Sequence, residues 1–193
     1  MRNLRSPLLA VILLCAVLLL IASPLLIRQS ILPQAPVDDS RLIEYRNSTL
    51  GLRFLRPEVW GTSEDENLIL SGESTTMDTV AFVPKNSPNT FVIVYVQTLT
   101  ATETLENYAA RQVADLQNND SQMKFSEPQP VKINGLAALE TEAISNANGE
   151  ARQLKMIMLL NGPRAYALTY FGPVAGSAQQ RFQSLVDSFE FVR

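Results

Sequence analysis

The first candidates for chemistry are a serine and a lysine three positions apart. Ser121 and Lys124 have the S-x-x-K spacing, in which a lysine one helical turn away can activate a serine nucleophile. The pair follows Asn-Asn-Asp and precedes a proline-bounded stretch, and the companion motifs S-D-N and K-T-G are missing. We therefore expect a surface loop here, and a Ser-Lys hydrolase is the alternative.

Carboxylates provide the second set of candidates. Glu140 and Glu142 lie two positions apart on a predicted strand, so they share a face and could form an acid pair like that of a glycosidase. The acidic triplet 64–66 and the segment 146–150 contain oxygen ligands that a hard cation prefers, but neither has EF-hand spacing. We expect solvated acidic surface at all three places. The sequence thus predicts no catalytic, cofactor-binding or metal-binding residue.

Five aromatic side chains could instead line a groove for a small molecule: Trp60, Tyr95, Tyr108, Tyr166 and Tyr170. Aromatic residues within strands and amphipathic helices more often belong to the core. We expect these five to be buried, which leaves a small-ligand or lipid carrier as an alternative function.

Composition excludes several classes of protein. The 193-residue chain has no histidine and one cysteine, which removes histidine-based triads, histidine zinc sites and intrachain disulfides. The formal net charge is −3 and the pI is about 5.1, so a basic footprint for nucleic acid is missing. All 19 acidic residues lie after position 37, together with 13 of the 16 basic ones, so the part that follows is distinctly acidic.

The N-terminal segment predicts a membrane anchor. Residues 7–27 contain no charge, and 21 helical residues would span about 31 Å, close to the hydrocarbon thickness of a bilayer. Arg2 and Arg5 precede this run, so the positive-inside rule places residues 1–6 in the cytoplasm and the rest of the chain outside. The prediction is a single-pass signal anchor in the cell membrane, joined to a domain at 41–193 by a proline-containing linker at 28–40.

Two other fates of this segment stay open. A cleaved signal peptide would yield a secreted protein, although its apolar core is usually shorter and the small residues Ser23 and Ala35 are each followed by proline. A lipoprotein would need a small residue before its cysteine, whereas Cys15 follows Leu14. The mature N-terminus distinguishes these cases, because cleavage would give a chain that begins between residues 24 and 36.

Strand and helix signals are mixed along the domain. Helices are predicted at 100–118, where Thr100 and Glu103 form a capping box, and at 178–187, where Ser177 and Gln180 repeat that pattern. The turn pairs Asn134-Gly135, Asn148-Gly149 and Asn161-Gly162 predict an antiparallel meander. Strands are predicted at 42–45, 51–55, 68–70, 79–83, 91–96, 131–133, 136–144, 154–160 and 165–171, with an edge strand at 191–192. Several of these strands are apolar on both faces, so the expected α+β fold is an antiparallel sheet flanked by helices, an α/β/α sandwich.

A set of short motifs appears in a characteristic order along residues 45–193: Phe54-x-x-Pro57-x-x-Trp60, Thr104-Leu105-Glu106-x-Tyr108, Asn134-Gly135-x-x-Ala138, Tyr166-x-Leu168-x-Tyr170 and Ser188-Phe189. This order resembles the PsbP/Mog1-like family. The resemblance implies the same α/β/α sandwich and a binding or accessory role without catalysis. Members of the family attach to photosystem II or are exported or membrane-anchored. The resemblance also implies metal binding partly through histidine in plant members and a lipoprotein cysteine in cyanobacterial members. This chain departs from both patterns, because it has no histidine and its Cys15 does not follow a small residue.

These observations predict a bacterial, non-enzymatic interaction module that is tethered to the membrane through residues 7–27. Its expected partner is another membrane or extracytoplasmic protein, and no cofactor or nucleic acid is expected. A photosystem-associated accessory protein is the nearest alternative.

Overall fold

The computed structural model describes residues 39–62, 77–84, 89–99, 101–119, 123–147 and 150–192. The predicted anchor at 7–27, most of the linker and the predicted strand at 68–70 lie outside these ranges. Among the helices that are described, none is long and apolar enough to cross a bilayer.

The larger sheet contains seven described antiparallel strands: β3 (Gly61–Thr62), β4 (Met77–Val83), β5 (Phe91–Thr98), β6 (Gln129–Ile133), β7 (Leu136–Ala147), β8 (Glu150–Asn161) and β9 (Arg164–Pro173). Their spatial order is β3-β4-β5-β9-β8-β7-β6. The run from β6 to β9 is the predicted meander. Asn134 and Gly135 both have positive φ, 48° and 82°, as a two-residue turn between β6 and β7 requires.

A second, smaller sheet has the order β1-β2-β10 and was not predicted as a separate layer. It contains β1 (Leu42–Asn47), β2 (Leu52–Pro57) and β10 (Glu190–Phe191), which pairs with β2 as the expected edge strand. The loop between β1 and β2 is held by the large sheet, because Tyr166 donates to the Leu50 carbonyl at 3.1 Å and Arg164 donates to the Thr49 carbonyl at 3.0 Å.

Helices cover the two faces of the large sheet. Helix α1 (Leu105–Asn119) packs on β7 and β8, whereas α2 (Ser177–Asp187) packs on β2 and β9. Side chains alternate along β9, so Tyr166, Leu168 and Tyr170 join the core under α2 while Ala165 and Ala167 join the core under α1. The predicted antiparallel α+β sandwich is thus confirmed for the described domain, with the small sheet beside α2 as an added layer.

Both predicted capping boxes are wrong. Helix α1 begins at Leu105 rather than at 100, and the Thr104 hydroxyl accepts the Asn107 backbone N–H at 3.2 Å as its cap. Glu103 instead binds Arg111 further along the helix. Helix α2 is preceded by Gly176 and has no side-chain cap, because its first residue is Ser177 itself.

Candidate functional site

One concavity lies where the end of β5 meets the start of α1, and we call it the α1 cleft. Its volume is about 480 Å³. Since β5 ends at Thr98 and α1 begins at Leu105, the end of the strand, the connecting loop and the first turns of the helix all contribute residues to its wall. The lining residues are Gln97, Thr98, Leu99, Ala101, Thr102, Glu103, Asn107 and Arg111.

An ion pair forms one wall of this cleft. The Arg111 Nε and Nη2 atoms donate to the two carboxylate oxygens of Glu103 at 3.2 and 2.8 Å. The guanidinium also lies 5.3 Å from the ring centre of Tyr108. The hydrogen bond that Arg111 donates to Glu103 raises the pKa of the guanidinium, and burial raises the pKa of Tyr108. The opposite charges of Arg111 and Glu103 lie against each other, so the pair itself adds no net charge to the wall.

Gln97 carries a buried polar atom that the fold leaves unsatisfied. Its side-chain oxygen Oε1 is out of contact with solvent and has no hydrogen-bond partner. Leaving a buried acceptor unpaired costs on the order of 1–3 kcal/mol. Such a cost at the wall of a cleft makes Gln97 a candidate for ligand contact.

A second, smaller concavity lies between the small sheet and the end of α2, and we call it the Arg53 pocket. Its volume is about 270 Å³. Arg53 Nε and Nη2 donate to Glu190 Oε2 at 3.0 and 2.5 Å, and Nη1 donates to Glu44 at 3.3 Å. Asn134 donates to the other oxygen of Glu190 at 3.3 Å. The hydrogen bond from Arg53 holds the pKa of Glu190 below its usual range. This network fastens β10 to β2 and to the turn between β6 and β7.

The structure does not assemble a catalytic acid pair from Glu140 and Glu142. They share the sheet face under α2, but Glu140 forms an ion pair with Lys155 at 2.9 Å and Glu142 accepts a hydrogen bond from Gln153. Gln153 is 5% exposed and accepts in turn from Gln179 of α2 at 2.7 Å. These contacts join α2 to β7 and β8, which is a structural role.

The other candidates for chemistry fall partly outside the described residues. Lys124 is exposed, whereas Ser121 lies outside those ranges, as do the acidic triplet 64–66 and the turn at 148–149. In the parts of the chain that are described, no three Asp, Glu, Cys or His side chains come together as a metal site. The five candidate aromatic residues are all at most 7% exposed and belong to the cores.

Sequence reasoning missed Gln97, Glu103 and Arg111 of the α1 cleft, and Arg53 and Glu190 of the other pocket. Arg53 and Glu190 are 137 positions apart, so no local pattern joins them. Glu103 and Arg111 are eight positions apart, and Glu103 was assigned to a capping box. Moving the predicted helix start to Leu105 would have placed Glu103 in front of the helix, free to reach Arg111.

The fold is similar to those of several solved structures. Cyanobacterial PsbP from Synechocystis sp. superposes with a TM-score of 0.60 at 14% identity, over 83% of this chain and 98% of that one. A point mutant of the protein Mog1 gives a TM-score of 0.53 at 13% identity, over 79% and 96% of the two chains. A protein from Bacteroides thetaiotaomicron gives 0.52 at 17% identity, over 78% of this chain and 48% of its own. At these identities the likeness shows the fold.

Curated proteins give no match to this sequence. A family model does match, and it is described as that of a PsbP-like protein. The match runs over residues 9–191, nearly the whole chain, and agrees with the fold and with the order of motifs from Phe54 to Phe189. The chain belongs to the PsbP-like protein family.

Proposed function

We propose that this chain is a membrane-tethered, extracytoplasmic interaction module that acts without catalysis. The observation that carries the proposal is membership of the PsbP-like family over residues 9–191. The carboxylates that could have served an acid pair are bound to neighbouring side chains instead. A sandwich with a solid core on each face of its large sheet offers rigid surfaces, which suits docking of a protein partner.

The tether is supported by the uncharged run at 7–27 and the arginines before it. Asp39, the first described residue, accepts a hydrogen bond from Arg181 of α2 at 3.2 Å. The linker therefore reaches the domain on its α2 side. An extended linker of about 12 residues would let the domain stand up to roughly 40 Å from the bilayer, within reach of a partner in the same membrane.

The alternatives have less support. A lipid carrier needs an apolar cavity of several hundred Å³, whereas the α1 cleft is mainly polar and the Arg53 pocket contains the charged side chains of Glu44, Arg53 and Glu190. A hydrolase needs converging nucleophile and base, and Glu140 and Glu142 are each held by other groups. A photosystem-associated role is a special case of the same interaction function, with the partner specified.

Photo-crosslinking in intact cells tests the proposal. A photoreactive residue would replace Leu55 of the small sheet, which is 38% exposed, or Ile144 of β7, which is 51% exposed. Leu55 lines the Arg53 pocket on the small sheet, whereas Ile144 lies on a strand of the large sheet. We expect a discrete adduct with a membrane or extracytoplasmic protein from one site, and the other site is its matched control. The absence of any discrete adduct from both sites would contradict the proposal.

A further inference from the structure

The α1 cleft has the dimensions of a small-molecule site. Its volume of about 480 Å³ falls within the range of ligand pockets. Liquid water occupies about 30 Å³ per molecule, so the volume of the cleft equals that of roughly 16 water molecules. This is enough for a compact ligand of one or two rings, and too little for a folded protein element.

The charges of the cleft select against an ionic ligand. Glu103 and Arg111 neutralise each other through two parallel hydrogen bonds. An anion would have to displace Glu103 from Arg111, and a cation would have to displace Arg111 from Glu103. Either exchange loses a bidentate pair, which is among the stronger side-chain contacts. An uncharged ligand can bind without breaking the pair between Glu103 and Arg111.

The remaining polar side chains both donate and accept hydrogen bonds. Thr98, Thr102 and Asn107 also line the cleft, and their side chains carry hydroxyl and amide groups. Asn107 is exposed, and only its backbone N–H is used, in the contact with Thr104. Hydroxyl and amide groups match the hydroxyl groups of a ligand, each of which also donates and accepts.

Gln97 adds the observation that points most directly to a ligand. Its oxygen Oε1 lacks a donor, and the terminal torsion of a glutamine side chain is soft. A rotation about this torsion would exchange Oε1 with Nε2 and bring the oxygen to the cleft, where a ligand hydroxyl could donate to it. Binding would then satisfy an acceptor that is buried and unpaired in the described structure.

We propose that the α1 cleft binds a neutral saccharide of one or two rings. The ring hydroxyls would bond to Asn107, Thr98 and Gln97, and the carbon face of the sugar would lie on Leu99 and Ala101. This site is separate from the protein-docking function and does not depend on it.

Saturation-transfer NMR on the full-length chain in a detergent without a sugar headgroup tests the proposal. The probes are glucose, N-acetylglucosamine and their β-1,4-linked disaccharides at millimolar concentration. We expect transfer to at least one of them, and Asn107→Ala should weaken its binding about fivefold or more, since it removes a hydrogen bond. Asn118→Ala, an exposed position near the other end of α1, is the matched control and should bind like the parent.

A second variant separates binding from folding. Gln97→Met keeps the side-chain length and removes the unpaired oxygen, so it should leave the fold at least as stable while weakening sugar binding. Three results would overturn the proposal. These are no transfer to any of the four sugars, transfer that persists unchanged in both cleft variants, and tighter binding of glucose 6-phosphate or of triglycine than of the neutral sugars.

Discussion

Replacing Tyr166 by phenylalanine tests how the small sheet is held on the large one. Tyr166 is 1% exposed and donates its hydroxyl proton to the Leu50 carbonyl at 3.1 Å. Leu50 is itself 5% exposed, so water cannot replace the lost donor. The variant should lose about 1–2 kcal/mol of unfolding free energy. For a domain of about 150 residues this corresponds to a fall in Tm of roughly 2–8 °C.

The matched control is Tyr170→Phe on the same strand. The Tyr170 hydroxyl donates to the Pro173 carbonyl at 2.9 Å, but Pro173 is exposed and water can take over that bond. We expect a loss under about 0.5 kcal/mol. Thermal unfolding followed by the fluorescence of Trp60, the single tryptophan and 3% exposed, reports both variants. Equal losses in the two variants would refute the claim that the Tyr166 bond fastens the small sheet.

Three further changes have defined outcomes. Gly172→Ala should cost about 1–3 kcal/mol, because a Cβ there would lie 2.5 Å from the Tyr170 hydroxyl oxygen, and a Tm unchanged from the parent would contradict this. Glu190→Gln should flatten the acid dependence of Tm near about pH 4, since the lowered pKa of Glu190 gives a stabilisation that exists above the unfolded pKa and disappears as the pH falls through the folded one. A parallel Tm profile would show that the contact with Arg53 contributes nothing. Gly135→Ala should cost about 1 kcal/mol in denaturant titration because its φ is 82°, and a neutral result would mean that the turn relaxes freely.

The elements of the domain could be predicted because their signals are local. Asn134-Gly135 is the dipeptide typical of a two-residue hairpin turn, and the β-branched and aromatic run from Phe91 to Val96 predicts a strand covered on both faces. The helix at 177–187 was predicted to within a residue, because Phe182, Leu185 and Val186 follow its apolar stripe and all three are buried.

The division into two sheets could not be predicted in this way. Strands β1 and β2 have the same hairpin pattern whether they extend the large sheet or form their own. The choice depends on distant contacts, such as Glu190 pairing with Arg53 and Tyr166 reaching Leu50. No periodicity within a segment carries that information.

The candidate sites also depend on contacts between residues that are distant in the sequence. The sequence predicted solvated surface at Glu140 and Glu142, whereas the fold half-buries both residues beside Lys155 and Gln153, contacts that no local pattern indicates. The α1 cleft was missed because its residues come from a strand end, a loop and a helix, with an ordinary glutamine as its most informative member.

The mass of the protein in washed membranes tests whether residues 7–27 anchor the chain. Alkali-washed membranes should retain the chain at its full mass of about 21.4 kDa, since residues 7–27 would still be attached and embedded. A shorter chain that begins between residues 24 and 36 and is recovered in the soluble fraction would contradict the tether, and with it the proposal that this domain works at the membrane.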